Sequence, residues 1–541
     1  MHRIKGHKLK NQFGKNRLVF VALVVTSIFP FLMFYNSGKS RSNSKVITYQ
    51  LDPDSTFQVV HNFGASDAWA FQFVGKYWPM ESRERISKLL FSTENATDGS
   101  PLGIGLSAWR FNIGAGSAEQ GSQSEISDEW RRAECFLEAD GSYNWSRQLG
   151  QQWFLQAARR YGVTDFIAFV NSPPVYFTRN AKAWSADGKE ANLPSEHYGD
   201  YANFLVQVID GMEQNAGVTF NYISPFNEPQ WEWKCCGQEG SPWNNDEIAR
   251  FTRILNQKLL DVDRTQTKIE LSEAGQIDFL FDDQRNPVQR NNQIAEFFDQ
   301  GSDNYLGNLS LLAPKIAGHS YFSTWDLERL MNSRRDLVTR IRSIDPGLEY
   351  WMSEYTLLEN NGEIKGTGRD LGIDPALYMA RVIQADMLYA NASAWHWWLA
   401  VSPYDYKDGL IYIDLDKNSG EIYESKMLWA LGNFSRFIRP GAVRIAINRI
   451  DGATSLESLN GVLASAYRTT FGELVVVLLN QYTESQRLKF SGLTDTGLKI
   501  HPYLTSSNPE DNLRYLGAMD SNKIIILPGR SIMTCVFNYQ E

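Results

Sequence analysis

Two acidic side chains define the chemistry this chain could perform. Glu228 stands in "ISPFNEPQWEWK", residues 223–234, and Glu354 stands in "LEYWMSEYT". Each ends a short apolar run, where a buried strand would deliver a side chain to a surface. Cleaving a glycosidic bond needs one protonated carboxyl to assist the leaving oxygen. It needs a second, ionised one to attack the anomeric carbon or to activate water. A separation of about 5 to 5.5 Å gives retention, and roughly 6.5 to 9.5 Å gives inversion. Phe226, Trp231 and Trp233 surround Glu228 in the sequence, and apolar neighbours disfavour the charged form of a carboxyl. The two indoles also offer flat faces to sugar rings, or else pack the loop. Aromatic residues make up 13% of the chain, with 16 Trp and 24 Tyr, a surplus that suits stacking on rings as well as filling a core.

These acids need a scaffold that brings strand ends together. Eight apolar runs end abruptly in polar or aromatic residues. They end near Asp67, near Arg110 and Asn112, at Asn171, at Glu228, at Glu273, at His319 to Tyr321, at Glu354, and at Trp397 and Trp398. Between them lie segments with apolar residues at three- and four-residue steps, such as "YGDYANFLVQVIDGMEQN" and "LERLMNSRRDLVTRIRSI". Strands alternating with helices eight times predict an α/β fold, a (β/α)8 barrel, whose site lies at the C-terminal strand ends. Asn227 beside Glu228, and Tyr321 two residues after His319, join the same set. A closing helix ends before Pro440-Gly441, and short β segments separated by Gly, Asn, Asp and Ser follow. The expected division is a leader over 1–40, N-terminal strands over 41–58, a barrel over 59–440 and an all-β sandwich over 441–541. The N-terminal strands are expected to join that sandwich.

Several function classes are excluded or disfavoured. The chain has no GxSxG, no HExxH, no phosphate-cradling loop and no compact His/Asp ligand set, so no metal or cofactor is expected. The first 17 residues carry six Lys/Arg and no acid; removing them from the net charge of −9 leaves −15 on the rest. Such an acidic surface does not suit nucleic acid. The basic start followed by the apolar run from Leu18 to Phe34 reads as an export signal, cleaved or retained as a membrane anchor. An exported monomer acting on a polysaccharide or oligosaccharide is expected. Of the four cysteines, Cys135 lies in the insertion after the second strand, and Cys235 and Cys236 lie in the loop after the fourth. Both loops belong on one barrel face, so a disulfide from Cys135 to that pair is expected, with free buried thiols as the alternative. Cys535 reads as a buried thiol. Glu273 reads as a structural hydrogen-bond acceptor, and Glu232 and Glu239 as loop carboxylates.

The ordered set "NFGASDAW", "NSPP", "SPFNEP", "SEY" and "LGNFSRFIRPGA" resembles glycoside hydrolase family 30 over nearly the whole chain after the leader. The resemblance implies retention, with Glu228 as acid/base, Glu354 as nucleophile and Asn227 as donor to the sugar 2-hydroxyl. It also implies that Asp67 holds sugar hydroxyls, that Arg110 keeps the nucleophile ionised, and that His319 and Tyr321 flank it. Trp397 or Trp398 would floor the sugar. In "NSPPVYF" the chain carries Val175-Tyr176 where many members have Trp, so Tyr176 is expected to form that wall. "NEPQWEW" followed by "GQEGSPW" is similar to the endo-β-1,6-galactanases, with β-1,6-glucanase, glucosylceramidase-like and xylanase activities as alternatives. The reading from another class is a glycan-binding protein without catalysis, and the presence of both carboxylates argues against it.

Overall fold

The computed structural model describes residues 45–493 and 497–539. The segment expected to be a leader, including Leu18 to Phe34, lies outside them. Among the described residues no helix is long and apolar enough to cross a membrane.

The eight apolar runs form eight parallel strands. They span Asn62–Ser66, Ala108–Ile113, Asp165–Val170, Tyr222–Ser224, Lys268–Ala274, Leu312–His319, Glu349–Tyr355 and Ala392–Ser402. The eighth pairs with both the first and the seventh, which closes the barrel. Nearly every residue of these strands is buried, because helices cover the outside while side chains fill the inside. The predicted helices form at Met80–Phe91, Tyr198–Ala216, Asn245–Asp261, Leu327–Ile344 and Ile373–Tyr389. The helix Asn245–Asp261 starts where its caps dictate. Asn244 and Glu247 form a reciprocal capping box, which satisfies the first free backbone N–H groups. A further helix, Leu149–Arg160, sits between the second and third strands, after the long insertion.

The N-terminal strand Ile47–Val60 belongs to the second domain. It runs antiparallel to Ala442–Arg449 and parallel to Gln486–Ser491 in a ten-stranded sheet. That sheet folds back on itself, so that Phe490 meets Phe537 with ring centres 5.2 Å apart although their strands are not neighbours. Its other face is continuous with the barrel core through Val475, Val477, Leu479 and Ile532. Burying each such side chain stabilises the joint by about 1.5 to 3 kcal/mol. Thr534 donates to the carbonyl of Asn433 on the closing helix at 2.6 Å, and Asn433 Nδ2 donates back to the Thr534 hydroxyl at 3.0 Å. The two domains therefore meet through a packed, hydrogen-bonded face.

The cysteine expectation is corrected. Cys235 and Cys236 are bonded to each other, and Cys135 and Cys535 are buried free thiols. What joins the two loops is a carboxylate. Glu239 of the fourth loop is buried, and accepts from Ala115 N at 3.0 Å, from Ser117 N at 3.2 Å and from the Ser117 hydroxyl at 2.6 Å. Glu232, by contrast, is exposed and pairs with Lys234 at 2.7 Å. Burial pushes Glu239 up to about 7, against the hydrogen bonds from Ser117 and Ala115. Burial also lifts nearby Glu119 to about 7. A carboxyl raised on folding adds stability in full below its unfolded value near 4.5, and that stability is lost as pH rises through about 7. Thermal melts should therefore fall between pH 5 and pH 8, by on the order of 1 to 3 kcal/mol for each group. In Glu239→Gln the slope should flatten; an unchanged slope would show that this clamp does not titrate.

Candidate active site

The fourth barrel strand is short, and the chain leaves it at Pro225 to swing Glu228 over the barrel mouth. Glu228 and Glu273, on neighbouring strand ends, both take left-handed backbone conformations with φ of 46°. This is unfavourable for glutamate and is the kind of strain that a surrounding structure must enforce. Glu228 N donates to the Glu273 carbonyl at 2.9 Å, which ties the two ends together. On the other side, a register shift between strands six and seven sets Glu354 opposite His319. Such an irregularity re-aims a side chain at a barrel rim.

These devices bring five charged groups into one buried cluster. A carboxylate oxygen of Glu228, a ring nitrogen of His319 and a carboxylate oxygen of Glu354 lie within 4.8 Å of one another. Arg110 donates to Glu354 at 3.1 Å and also to Glu273. Tyr321 donates its hydroxyl to Glu354 at 3.0 Å. His319 Nδ1 faces Glu228 at 3.0 Å and Nε2 faces Glu273 at 3.3 Å. Burial alone would make His319 neutral, but Glu354, Glu228 and Glu273 outweigh it and raise the imidazole to about 10. Both ring nitrogens are then donors, one toward Glu228 and one toward Glu273. Burial likewise favours a protonated Glu273, but Arg110 and His319 prevail and hold it at about 2. Burial pushes Glu354 up, and the positive charges of His319 and Arg110 oppose that rise. Glu273 is thus the anion at the centre of the cluster, binding both cations.

Above this cluster lies an open cleft of about 520 Å³. Its lining includes Asn227, Glu228, Trp231, Tyr321, Glu354 and Trp398 from the sequence expectation. Trp231 packs edge-on against Phe279 and Phe322, and a side chain at Gly275 would run into its ring. Trp233 also lines the cleft, while its indole N–H donates to the Glu228 carbonyl at 3.0 Å and so braces the strained turn. The apolar surroundings expected for Glu228 therefore belong mainly to its backbone and loop; its carboxyl meets His319.

The remaining candidates are placed differently. Arg110 and His319 are fully buried beneath the cleft and reach it through Glu354 and Glu228. Asp67 is buried, accepts from Asn112 N at 2.8 Å, and keeps one oxygen without a protein partner. Burial pushes its carboxyl well up. Asn171 is buried, with its side-chain oxygen unpartnered, as is that of Asn227. Trp398 faces the cleft, whereas Trp397 turns into the core, meets Tyr355 edge-on and donates to the Asp408 carbonyl. Tyr176 does not line the cleft; it is 41% exposed, near Cys135 and Glu119 of the insertion. Trp69, Arg131, Tyr406 and Asp408 line the cleft and were not anticipated. Trp69 carried a signal, lying two residues after Asp67 at a strand end.

Two carboxyl groups at this spacing, under aromatic walls at the mouth of a (β/α)8 barrel, define an enzyme that hydrolyses glycosidic bonds. Residues 46–412 match the model of O-glycosyl hydrolase family 30, and residues 441–535 match that family's β-sandwich domain. The chain belongs to glycoside hydrolase family 30. Among its relatives is an endo-β-1,6-galactanase of Hypocrea rufa, 24% identical over 73% of this chain and 75% of that protein. Glucuronoxylanase XynC of Bacillus subtilis (strain 168) is also 24% identical, over 73% of this chain and 78% of the relative. A crystal structure of a conserved exported protein from Bacteroides fragilis is 35% identical, with a TM-score of 0.85, covering 90% of this chain and all of that one.

Proposed function

We propose that this chain is an exported, retaining endo-glycosidase that cleaves β-1,6-linked galactan, such as arabinogalactan side chains, by double displacement. The observation that carries the catalytic reading is the proximity of Glu228 and Glu354, whose nearest oxygens fall within 4.8 Å while one carboxylate is held by Arg110 and Tyr321. In the first step a Glu354 oxygen attacks the anomeric carbon, and Glu228 gives its proton to the departing oxygen. The glycosyl ester formed on Glu354 is then hydrolysed. Glu228 takes a proton from water, the water oxygen bonds to the anomeric carbon, and the ester bond breaks with its electrons returning to Glu354. His319, 3.0 Å from Glu228, stands where it can steady the carboxylate as its proton leaves. Arg110 and Tyr321 hold the nucleophile's other lone pairs and fix its direction. Asp67, Asn171 and Asn227 keep oxygens without protein partners and are assigned to sugar hydroxyls.

Attack within the polymer is supported by the open cleft, which two aromatic pairs line together with the acid pair: Trp231 with Phe322, and Trp69 with Trp398. The galactan assignment is supported by the likeness of the fourth-loop sequence to endo-β-1,6-galactanases and by the Hypocrea rufa relative. Digestion of a panel of β-1,6-galactan, β-1,6-glucan and glucuronoxylan tests it. Galactan should give a ladder of short oligosaccharides at rates at least about tenfold above the other two. Faster release from β-1,6-glucan or glucuronoxylan, or release of monosaccharide only, would contradict the assignment.

A further inference from the structure

Asp408 is the one carboxylate among the described lining residues that the acid pair and its cluster do not use. It follows the eighth strand, immediately before the short strand Gly409–Ile413 that pairs with the strand's outer half. Its residue is 6% exposed, it lines the cleft, and its Oδ1 is buried without a hydrogen-bond partner. A buried acceptor left unpaired costs on the order of 1 to 3 kcal/mol, so such a group marks a place where a ligand donor completes the set.

The backbone around Asp408 is fixed rather than loose. Trp397 Nε1 donates to the Asp408 carbonyl at 2.8 Å. Thr356, two residues after Glu354, donates its hydroxyl to the Lys407 carbonyl at 3.2 Å. Leu357 and Lys407 pair as a bridge, and Lys407 Nζ holds the carbonyls of Thr367 and Gly368 at 3.1 and 2.8 Å. The loop that follows the nucleophile and the loop that carries Asp408 are therefore one rigid unit. Burial lifts the carboxyl to about 6, opposed by Ser402, Arg131 and Arg369. Near neutral pH an acceptor is available.

The position along the substrate follows from the chemistry. The proton donor must stand beside the leaving oxygen, so the leaving part of the glycan lies toward Glu228 and Trp231. The part that becomes bonded to Glu354 extends the other way, toward strands eight and one, where Trp398, Trp69 and Asp408 line the cleft. We propose that Asp408 accepts hydrogen bonds from a hydroxyl of the sugar on the non-leaving side, and thereby selects among sugars by where that hydroxyl stands. This rests on the assignment of Glu228 as proton donor and Glu354 as nucleophile. A site built to bind a hydroxyl rejects an analogue lacking it far more strongly than an apolar pocket rejects an extra group.

The test uses Asp408→Asn in the full chain, with Asp408→Ser carrying the same comparison should the first not fold. Substrates are 4-nitrophenyl β-glycosides of the disaccharide that wild type releases from the panel, and their monodeoxy analogues. Asp408→Asn should lower kcat/KM on the parent glycoside by about 10- to 100-fold, the worth of one hydrogen bond to a charged group. The loss should vanish on one monodeoxy analogue, which identifies the hydroxyl. Activity within about threefold of wild type on the parent, or an equal loss on every analogue, would overturn the proposal. Failure of the acid pair is read separately, as hydrolysis that survives in Glu354→Gln.

Discussion

Glu354→Gln should reduce kcat on the preferred glycan by roughly 100,000-fold, while the melting curve and oligosaccharide binding stay close to wild type. The amide keeps the shape of the carboxyl and can still contact Tyr321, so the loss isolates the role proposed for Glu354 as nucleophile. Arg110 will face a neutral group, but Glu273 continues to pair with it and the cluster stays compensated. A milder loss separates the other roles. Removing a proton donor costs about 100- to 10,000-fold and is relieved by substrates whose leaving group needs no proton, whereas removing the nucleophile is not relieved that way. Initial rates with an alkyl and an aryl leaving group on the same sugar make the comparison. More than about 1% residual kcat with the alkyl glycoside would show that Glu354 is not the attacking group.

Arg110→Leu should have the largest effect on stability of any single change in the site. Arg110 is fully buried with its guanidinium over the Phe169 ring, 4.3 Å from the ring centre, and it pairs with both Glu273 and Glu354. Deleting one partner of a buried ion pair costs about 3 to 5 kcal/mol, because the charges left behind have lost their solvent as well as their partner. Two carboxylates would remain around His319 with a single cation between them and Glu228. Glu273 would lose the main influence that offsets its burial, so the variant should bind a proton there. The wild-type pairing supplies stability in full above the unfolded value near 4.5, and that stability is lost as pH falls through about 2. Urea unfolding of wild type and variant at pH 7 measures the difference. A change below about 1 kcal/mol would mean that the cluster is not held by this arginine.

The barrel was legible because parallel strands covered on both faces must be apolar throughout, and their polar ends then stand out. That logic placed Glu228, Glu354, Asn227, Tyr321 and Trp398 around one cleft. It also set Glu273 at a strand end as a structural hydrogen-bond acceptor, but nothing in a linear pattern shows that its partners are Arg110 and His319 beneath the cleft. Nor could it choose between Trp397 and Trp398, because register irregularities where strand eight meets its neighbours decide which indole faces the cleft. The loop link was misassigned for a different reason. Placing two loops on one face argued for a bond between them, and the chain makes that bond with the Glu239 carboxylate, while the adjacent cysteines close on each other. Asp408 sits in a loop with no flanking signal, and only the fixed backbone between Thr356 and Trp397 reveals its position.

Trapping the intermediate tests the central claim most directly. Incubation with a 2-deoxy-2-fluoro β-glycosyl fluoride of the released sugar, followed by proteolysis and mass spectrometry, should place one glycosyl group on the peptide that carries Glu354. A modified residue elsewhere, or rapid turnover with inverted product and no adduct, would contradict the account.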